Sequence, residues 1–340
     1  DGVRAMVILR QARRGVALLA TMLAVALMTI LVMDFTTSSA LGYRSAANQA
    51  GELRAYYLAQ SGVNVGLAVL VQNALANPPQ QGNGATQTKQ HDSLDQVWAR
   101  PYPPIPAEGG AVSMAIVDED RKINLNNLFN QPNGSPNNPA NANGRPAANP
   151  WIPIIGNLLV NLNLSPDLIP IMSDWLDPDS IEQPGGAEAD FYLSLTPPYE
   201  PRNSQIPTIY DLRMLKGMDD RTFVILSRYL TAMPTKGINI NTAPPEVLAA
   251  LAPALKIDPG VVKDIIAQRE LVPFEQATDI SKVTGSTTPL SHVLTTTSTY
   301  FTITGQGDFA GARKRVYATF KRGSARGGGA SFSLANWHAD

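Results

Sequence analysis

Residues 10–33 read RQARRGVALLATMLAVALMTILVM, and this stretch decides how the rest of the chain is placed. Three arginines precede Gly15, and the eighteen residues from Val16 to Met33 carry no charge. An uncharged helix of that length can cross the hydrocarbon core of a bilayer. Because basic flanks stay on the cytoplasmic side of a membrane, the arginines predict that everything after about Phe35 lies outside the cytoplasm.

A secretory signal peptide also joins basic residues to an apolar region, so it is the main alternative. The small residues at 36–40 offer it a cleavage site. The helical pattern nevertheless continues past the apolar run, because apolar residues recur mostly at three- or four-residue steps up to the prolines at 78–79. This continuity favours one helix over residues 16–76, of which residues 16–35 span the membrane and the rest pack on a domain.

The composition restricts what the exterior part can do. The net charge of −1, from 27 basic and 28 acidic residues, provides no overall field that would attract nucleic acid. With no cysteine, the chain has no disulfide, no thiolate nucleophile and no Cys-ligated zinc. His91, His292 and His338 are far apart in sequence, which argues against a catalytic triad or a histidine zinc site.

Strand patterns stand at the two ends of the exterior part. Residues 111–118 alternate in places between apolar and polar side chains, which predicts a strand. Residues 299–305 and 313–322 also alternate and flank a Gly-rich turn, which is typical of a β-hairpin. Residues 323–340 are expected to be disordered. The sequence therefore predicts a small antiparallel sheet whose strands are distant in the chain.

Helical patterns occupy the region between those strands. Apolar spacing is helical in residues 151–234, and two further helices are predicted at 244–255 and 259–270. Residues 131–150 are almost entirely Asn, Pro, Gly and Ala, which indicates a surface insertion. The predicted fold class is therefore α+β, with a long N-terminal helix, a small sheet and a large inserted α-helical domain.

One acidic stretch concentrates the candidate chemistry. Five candidate carboxylates fall within seventeen residues that are rich in Gly and Pro and also include Glu182: Asp174, Asp177, Asp179, Glu188 and Asp190. Such a set suits calcium, which takes six to eight oxygen ligands. Two alternatives remain open from the residues alone. The stretch could be a solvated loop in which an Asp caps a helix, or a carboxylate pair of a glycosidase, which the lack of an aromatic substrate platform disfavours.

The start of the chain resembles the leader shared by type IV pilins and type II secretion pseudopilins. Arg14-Gly15 followed by Val16-Ala17-Leu18-Leu19 carries the resemblance. It implies cleavage after Gly15 by a prepilin peptidase and N-methylation of Val16. Most pilins have Glu at the fifth mature position, where this chain has Ala20. Because an unpaired carboxylate in lipid is costly, the departure predicts a subunit at the end of a fibre.

A second resemblance begins at Ile238-Asn239-Ile240-Asn241-Thr242-Ala243-Pro244. With the two helices that follow, this run is similar to helix-hairpin-helix and SAM-like segments of DNA-binding proteins. Such hairpins bind phosphate through Gly-rich turns with basic support, whereas the turn here is Lys256-Ile257-Asp258-Pro259-Gly260. We therefore expect a scaffold kept for packing and no nucleic acid as partner. A membrane-tethered DNA-binding component of a competence-type pilus is the alternative function.

The ordered set of motifs resembles the protein K family of type II secretion minor pseudopilins. The motifs are the leader, Asp174–Tyr192, Tyr199-Glu200-Pro201, Asp211-Leu212-Arg213 with Gly217-Met218, Thr231–Pro234 and Ile238–Pro244. The resemblance implies a pseudopilin fold with an inserted α-domain, and a non-enzymatic subunit at the pseudopilus tip that helps to initiate assembly and protein export across the outer membrane. It also implies a single-pass inner-membrane protein whose C-terminal domain lies in the periplasm.

The same resemblance implies partners, a cofactor and a domain organisation. The expected partners are minor pseudopilins I and J, the prepilin peptidase and secreted exoproteins. Calcium is expected in the α-domain, with Asp177, Asp179, Glu188 and Asp190 as first candidates and Asp174 next. The predicted segments are a leader (1–15), the N-terminal helix (16–76), the first part of the core (77–130), the inserted helical domain (131–235), its helix-hairpin-helix-like part (236–297), the C-terminal β-hairpin (298–322) and a disordered tail (323–340).

Overall fold

The computed structural model describes residues 2–77, 90–107, 109–129, 149–254, 257–285, 293–324 and 330–340. In chain order the elements are α1 (Gly2–Ala76), β1 (Ile105–Ala107), β2 (Gly110–Asp118), β3 (Ile123–Asn124), α2 (Trp151–Asn161), α3 (Leu168–Leu176), α4 (Ala189–Leu193), α5 (Asp220–Leu226), β4 (Leu230–Thr231), β5 (Ile238–Asn239), α6 (Pro245–Ala254), α7 (Val262–Leu271), α8 (Ser281–Thr284), β6 (Leu294–Thr295), β7 (Tyr300–Phe309), β8 (Ala312–Ser324) and β9 (Ala330–Ala339). Short 3-10 turns connect several of them.

Helix α1 is one continuous helix, as the apolar spacing predicts. Its most apolar eighteen-residue window has a mean hydropathy of 2.6, and none of that window is buried against the rest of the protein. Among the residues that the structure describes, it is the one helix long and apolar enough to cross a membrane. From Gly51 onward, one side of α1 is buried, so the same helix first forms the candidate span and then packs on the sheet.

Five antiparallel strands form the main sheet, in the order β1, β2, β7, β8, β9. The predicted C-terminal hairpin is confirmed as β7 and β8, which pair from Tyr300 with Lys321 to Phe309 with Ala312. Strand β2 pairs with β7 over its whole length, from Gly110 with Phe309 to Asp118 with Phe301. Residues 119–299 are therefore inserted between two adjacent strands, as the sequence predicts.

Helix α1 approaches the sheet closely because small residues meet at the contact. A Cβ on Gly305 would lie 2.0 Å from the carbonyl oxygen of Ala59, and one on Gly307 would lie 2.0 Å from that of Ala55. Neither position has room for any side chain. Among the described residues, the core beside this contact includes the buried side chains of Ala59, Val63, Leu70, Trp98, Ile116, Phe301, Ile303, Val316, Ala318 and Phe320.

The inserted domain has its own hydrophobic core, separate from that of the sheet. This core extends from Ile123 to Leu294 and includes buried side chains of α2, α3, α5, α6 and α7. The predicted start of the domain at residue 131 is wrong. Strand β3 already pairs with β4, which belongs to the domain, and Leu125 is buried in the domain core. The Asn- and Pro-rich insertion at 131–148 lies outside the described residues.

The two helices predicted for the helix-hairpin-helix-like part are present as α6 and α7. Their connection includes residues 255–256, which lie outside the described residues. Arg269 of α7 donates hydrogen bonds to the carbonyl oxygens of Ile240 and Ala243, at 2.8 and 2.7 Å. These bonds tie α7 to the run that precedes α6. The likeness to helix-hairpin-helix segments itself stays a prediction.

The expectation of a disordered tail at 323–340 is wrong for its last part. Residues 330–339 form β9, which pairs with β8 from Ser324 with Ala330 to Val316 with Ala339, with a bulge at Thr319 and Phe320. The strand forms because it completes the ladder of β8 and brings the ring of Phe332 within 6.5 Å of Phe301. The physical signal was the alternation of apolar and polar residues from Ser331 to His338, which the Gly-rich run before it obscured.

A buried polar joint connects the sheet to the inserted domain. Asp118, at the end of β2, accepts hydrogen bonds from the hydroxyls of Thr242 and Ser298, both at 2.6 Å. Asn239 donates to the Ser298 hydroxyl at 2.7 Å and to the Asp118 carboxylate at 3.3 Å. Because these partners lie far apart in sequence, the bonds fix the orientation of the domain on the sheet.

The same joint holds two further carboxylates. The Arg322 guanidinium forms a buried ion pair with Asp92, and Nη1 lies 2.8 Å from Asp92 Oδ1. Asp120 accepts from the backbone N–H groups of Thr299 and Tyr300 at 2.8 and 2.9 Å. Burial, followed by the charge of Asp118, raises the pKa of Asp120 well above the usual range of an aspartate.

Candidate metal centre

Helix α3 positions the first part of the acidic stretch. Its apolar face packs into the domain core through Leu168, Met172 and Leu176, so Asp174 in its last turn is also drawn inside. Asp177 follows directly after the helix and is 7% exposed. Trp175 is buried, as its spacing predicts, and its ring lies 5.0 Å from that of Tyr192. The carboxylates of this stretch therefore lie next to the packed rings of Trp175 and Tyr192.

Asp174 organises the loop that follows. It is fully buried and accepts the backbone N–H of Ala187 at 2.9 Å and that of Gln183 at 3.2 Å. A Cβ on Gly186 would lie 1.8 Å from Asp174 Oδ2, so only glycine fits there. The neighbouring Gly185 has φ of +85°, which glycine adopts without strain. The Gly pair thus lets the chain wrap around the Asp174 carboxylate.

The wrapped loop brings three of the predicted ligands together. Asp177, Asp179 and Glu188 each offer an oxygen, and these oxygens lie within 4.8 Å of one another. Because calcium binds oxygen at about 2.3–2.6 Å, ligands on opposite sides of one ion are separated by about twice that distance. The three oxygens can therefore share one ion. Asp177 and Glu188 are buried, and Asp179 is exposed at the mouth of the site.

Several buried oxygens of this site lack a hydrogen-bond donor in the part of the chain that the structure describes. Among the described residues, Asp177 Oδ1 and both carboxylate oxygens of Glu188 are buried without a hydrogen-bond donor. A buried carboxylate oxygen without a partner is costly. A bound cation would remove that cost, so the donor set fits a hard divalent ion.

Burial and mutual repulsion act together on these groups. Burial, and then the charges of Asp179 and Asp174, raise the pKa of Asp177 to about 6. Burial and the same acidic neighbours, together with Asp177, raise the pKa of Glu188 to about 7. Burial also raises the pKa of Asp174. Without a cation the site therefore disfavours the charged forms of its own ligands.

The structure leaves the predicted ligand Asp190 outside the three grouped carboxylates and brings an additional residue, Asn203, to Asp179. Asp190 is exposed in the first turn of α4 and is not among the three grouped carboxylates. Asn203 was not predicted, but its side-chain nitrogen donates to the Asp179 carbonyl at 2.9 Å and its Oδ1 is buried without a partner. Asn203 has φ of +45°, a conformation in which Asn is enriched. Its place two residues after the Tyr199-Glu200-Pro201 run was the available signal.

Known protein families match the part of the chain that contains this candidate site. Two family models, both described as type II secretion system (T2SS), protein K, match residues 121–235 and 238–303. A type II secretion system protein K from Klebsiella pneumoniae is 31% identical over 252 residues, which cover 71% of each chain. The chain belongs to the type II secretion system protein K family. A family member from Pseudomonas aeruginosa is 28% identical over 326 residues, covering 93% of this chain and 90% of that one.

A solved structure shares the fold of this family member. One chain of the GspK-GspI-GspJ complex from the type 2 secretion system of enterotoxigenic Escherichia coli aligns with a TM-score of 0.61 and 17% identity. The alignment covers 87% of this chain and 99% of that chain. The predicted α+β pseudopilin fold with its inserted helical domain is confirmed. The chain is thus a minor pseudopilin of type II secretion, a component of a secretion machine.

Proposed function

We propose that this minor pseudopilin is a non-enzymatic subunit at the tip of the pseudopilus, where it helps to initiate assembly and protein export across the outer membrane. Helix α1 anchors it in the inner membrane, and the sheet and inserted domain lie in the periplasm. The arginines before Gly15 support this orientation, because basic flanks remain cytoplasmic. Processing between Gly15 and Val16 by a prepilin peptidase, with methylation of Val16, belongs to the same proposal.

The observation that carries the proposal is a set of four exposed apolar side chains on one side of α1, in two pairs with the polar residues Gln60 and Asn64 between them, which we call the α1 stripe. Four side chains beyond the span face away from the sheet, because their spacing of four, fourteen and four residues returns to one side of a helix. They are Leu53, Tyr57, Val71 and Leu75, which are 55%, 57%, 38% and 68% exposed. Apolar stripes of this kind pack against other helices. We propose that minor pseudopilins I and J cover this stripe.

The test is assembly of the full chain with minor pseudopilins I and J in detergent. Leu53→Glu with Tyr57→Glu should abolish co-purification, because two charges would have to be buried against a partner helix. Leu271→Glu is the matched control, since Leu271 is 81% exposed on α7, away from the stripe. Equal loss in the control, or complete retention in the double variant, would contradict this role of α1.

Ala20 supports a terminal position in the fibre. A glutamate at that place is favourable in lipid only beside a positive partner, and a leading subunit has none ahead of it. At the leading end of the fibre, the inserted domain would then occupy the space that a further subunit would need. Immunogold labelling of isolated pseudopili should find the chain at one end. Labels at regular intervals along the fibre would overturn the tip assignment without affecting the family assignment.

We also propose calcium as the ion held by Asp177, Asp179 and Glu188, with Asn203 Oδ1 as a further ligand. Asp174 keeps the loop in place through its backbone hydrogen bonds. The ion would stabilise the fold by neutralising carboxylates that are otherwise buried without partners. Magnesium should substitute poorly, because it requires shorter and more regular coordination.

The calcium proposal is tested by the melting temperature of the full chain in detergent. Calcium should raise it and EGTA should reverse the effect. Glu188→Gln should remove the response, because it replaces a buried carboxylate by an uncharged amide of the same size. Asp190→Asn is the matched control, since Asp190 is exposed outside the grouped ligands. A melting temperature that EGTA leaves unchanged would make the acidic stretch an ordinary loop.

A further inference from the structure

A cleft separates the inserted domain from the face of the sheet that α1 does not cover. Two adjoining cavities of about 260 and 420 Å³ form it, and they share the residues Val117, Lys122 and Ser227 in their linings. We call this continuous space the junction cleft. It lies on the opposite side of the sheet from α1, so an occupant of the cleft would leave the α1 stripe free for other subunits.

The smaller cavity is lined by polar and aromatic side chains of the sheet. Thr302 of β7 is paired with Thr319 of β8, and their hydroxyls lie 2.8 Å apart. In the neighbouring row, Tyr317 of β8 is paired with His338 of β9. The His338 ring lies 4.9 Å from that of Tyr210 on the domain side. Hydroxyl groups and flat rings of this kind can contact the backbone of an extended peptide.

The larger cavity is basic. Arg121, Lys122 and Arg228 line it, together with a single acidic residue, Glu246. Lys122 is already neutralised by Glu119, at 2.9 Å. Arg121 and Arg228 form no ion pair with any residue that the structure describes.

A third guanidinium stands close to this end of the cleft. Arg269 is held by the carbonyl oxygens of Ile240 and Ala243 and cannot turn away. Burial, and then the positive charge of Arg121, lower the pKa of Arg269. Arg121 therefore shares the lining of the larger cavity with Arg228 and Glu246, and it is close enough to Arg269 for their charges to interact. An arginine pair of this kind binds carboxylates through paired N–H donors.

We propose that the junction cleft binds an extended acidic segment of a partner protein, with a carboxylate between Arg121 and Arg228. The charge of the larger cavity selects an acidic side chain. The smaller cavity extends the site along the sheet, which provides room for several residues of a chain and not for one ion alone. Lys122 and Glu119 mark the boundary between the two halves.

The test measures binding of a fluorescein-labelled heptapeptide of alternating Glu and Ser to the full chain in nanodiscs. Binding should weaken steeply with added salt, since it depends on exposed charges. Arg121→Glu with Arg228→Glu should weaken it about tenfold or more. Arg221→Glu is the matched control, because Arg221 is exposed on α5 and does not line the cleft. An unchanged melting temperature shows that the double variant is folded, and Arg121→Gln with Arg228→Gln repeats the test without charge reversal.

Two further experiments distinguish binding of an extended peptide segment from binding of a small anion. A photoreactive group at one end of the peptide should label β9 near His338, because that strand lines the far half of the cleft. The Gln-for-Glu peptide should not bind. The proposal is overturned if the Gln peptide binds equally well, if the control variant loses binding to the same degree, or if inorganic phosphate competes as strongly as the unlabelled peptide.

Discussion

Gly305→Ala is the sharpest test of how α1 meets the sheet. The added Cβ would lie 2.0 Å from the carbonyl oxygen of Ala59 and 2.9 Å from the backbone nitrogen of Val63, whereas ordinary contacts begin at 3.4 Å. Both obstacles are backbone atoms, so no side-chain rotation relieves them. Helix and sheet must separate by roughly 1 Å, which opens the core around Ile303.

The expected cost is about 3 kcal/mol, at the upper end of the range for overpacking a close contact. For a chain of this size, that corresponds to a fall of roughly 4 °C in the melting temperature. Gly42→Ala is the matched control. It makes the same change in an exposed part of α1, where nothing lies within 4 Å of the added atom. It should instead stabilise the helix by about 0.5–1 kcal/mol.

The assay is thermal unfolding of the full chain in detergent, followed by circular dichroism, with hydrogen exchange to locate the effect. Amides of β7 should exchange faster in Gly305→Ala, while those of α6 keep their protection. A melting temperature within 1 °C of the unmodified chain would refute the close helix-sheet contact. Equal effects of the two glycine variants would do the same.

Three further predictions concern the joint and the last strand. Asp120→Asn should stabilise the protein, and more so at pH 8 than at pH 5, in urea titrations at the two pH values. The pKa of Asp120 is raised in the folded state, so the stability of the unmodified protein is full below the unfolded-state pKa of this group and falls as pH rises. Asn resembles the protonated carboxyl group at every pH, so the variant does not lose this stability. Asn239→Ala should cost about 2 kcal/mol in the same titrations, because it removes the donor that satisfies the buried Ser298 hydroxyl and Asp118. Phe332→Ala should cost about 1–2 kcal/mol, as expected for a half-buried aromatic ring, whereas a disordered tail would show no change.

Elements with a local signal could be predicted from the sequence. Helix α1 follows from an apolar spacing that is mostly helical up to the prolines at 78–79, and the β7–β8 hairpin follows from alternation around Gly311, whose φ is +87°. Helices α6 and α7 begin close to the prolines that were expected to start them. In each case the residues that determine the element are close together in the chain.

Features that depend on distant residues were missed. The domain begins at Ile123 because β3 pairs with β4 more than a hundred residues later. The local sequence around residue 123 contains no signal that identifies this distant partner strand. The Asp92–Arg322 ion pair likewise joins a loop to strand β8, 230 residues further along the chain. In the acidic stretch, composition indicated the carboxylates. Only the fold separates Asp190 from the three grouped carboxylates and brings Asn203 to Asp179.

The position of the insertion also determines the order in which the molecule can be completed. Strand β2 emerges during synthesis long before β7, its neighbour in the sheet, because residues 119–299 come between them. Contacts over such a separation form slowly, whereas the inserted domain has a core of its own and can form earlier. The surface of α1 that β7 covers must wait for the last forty residues of the chain. A newly made subunit can therefore fold the inserted domain first, and it closes the sheet against α1 later.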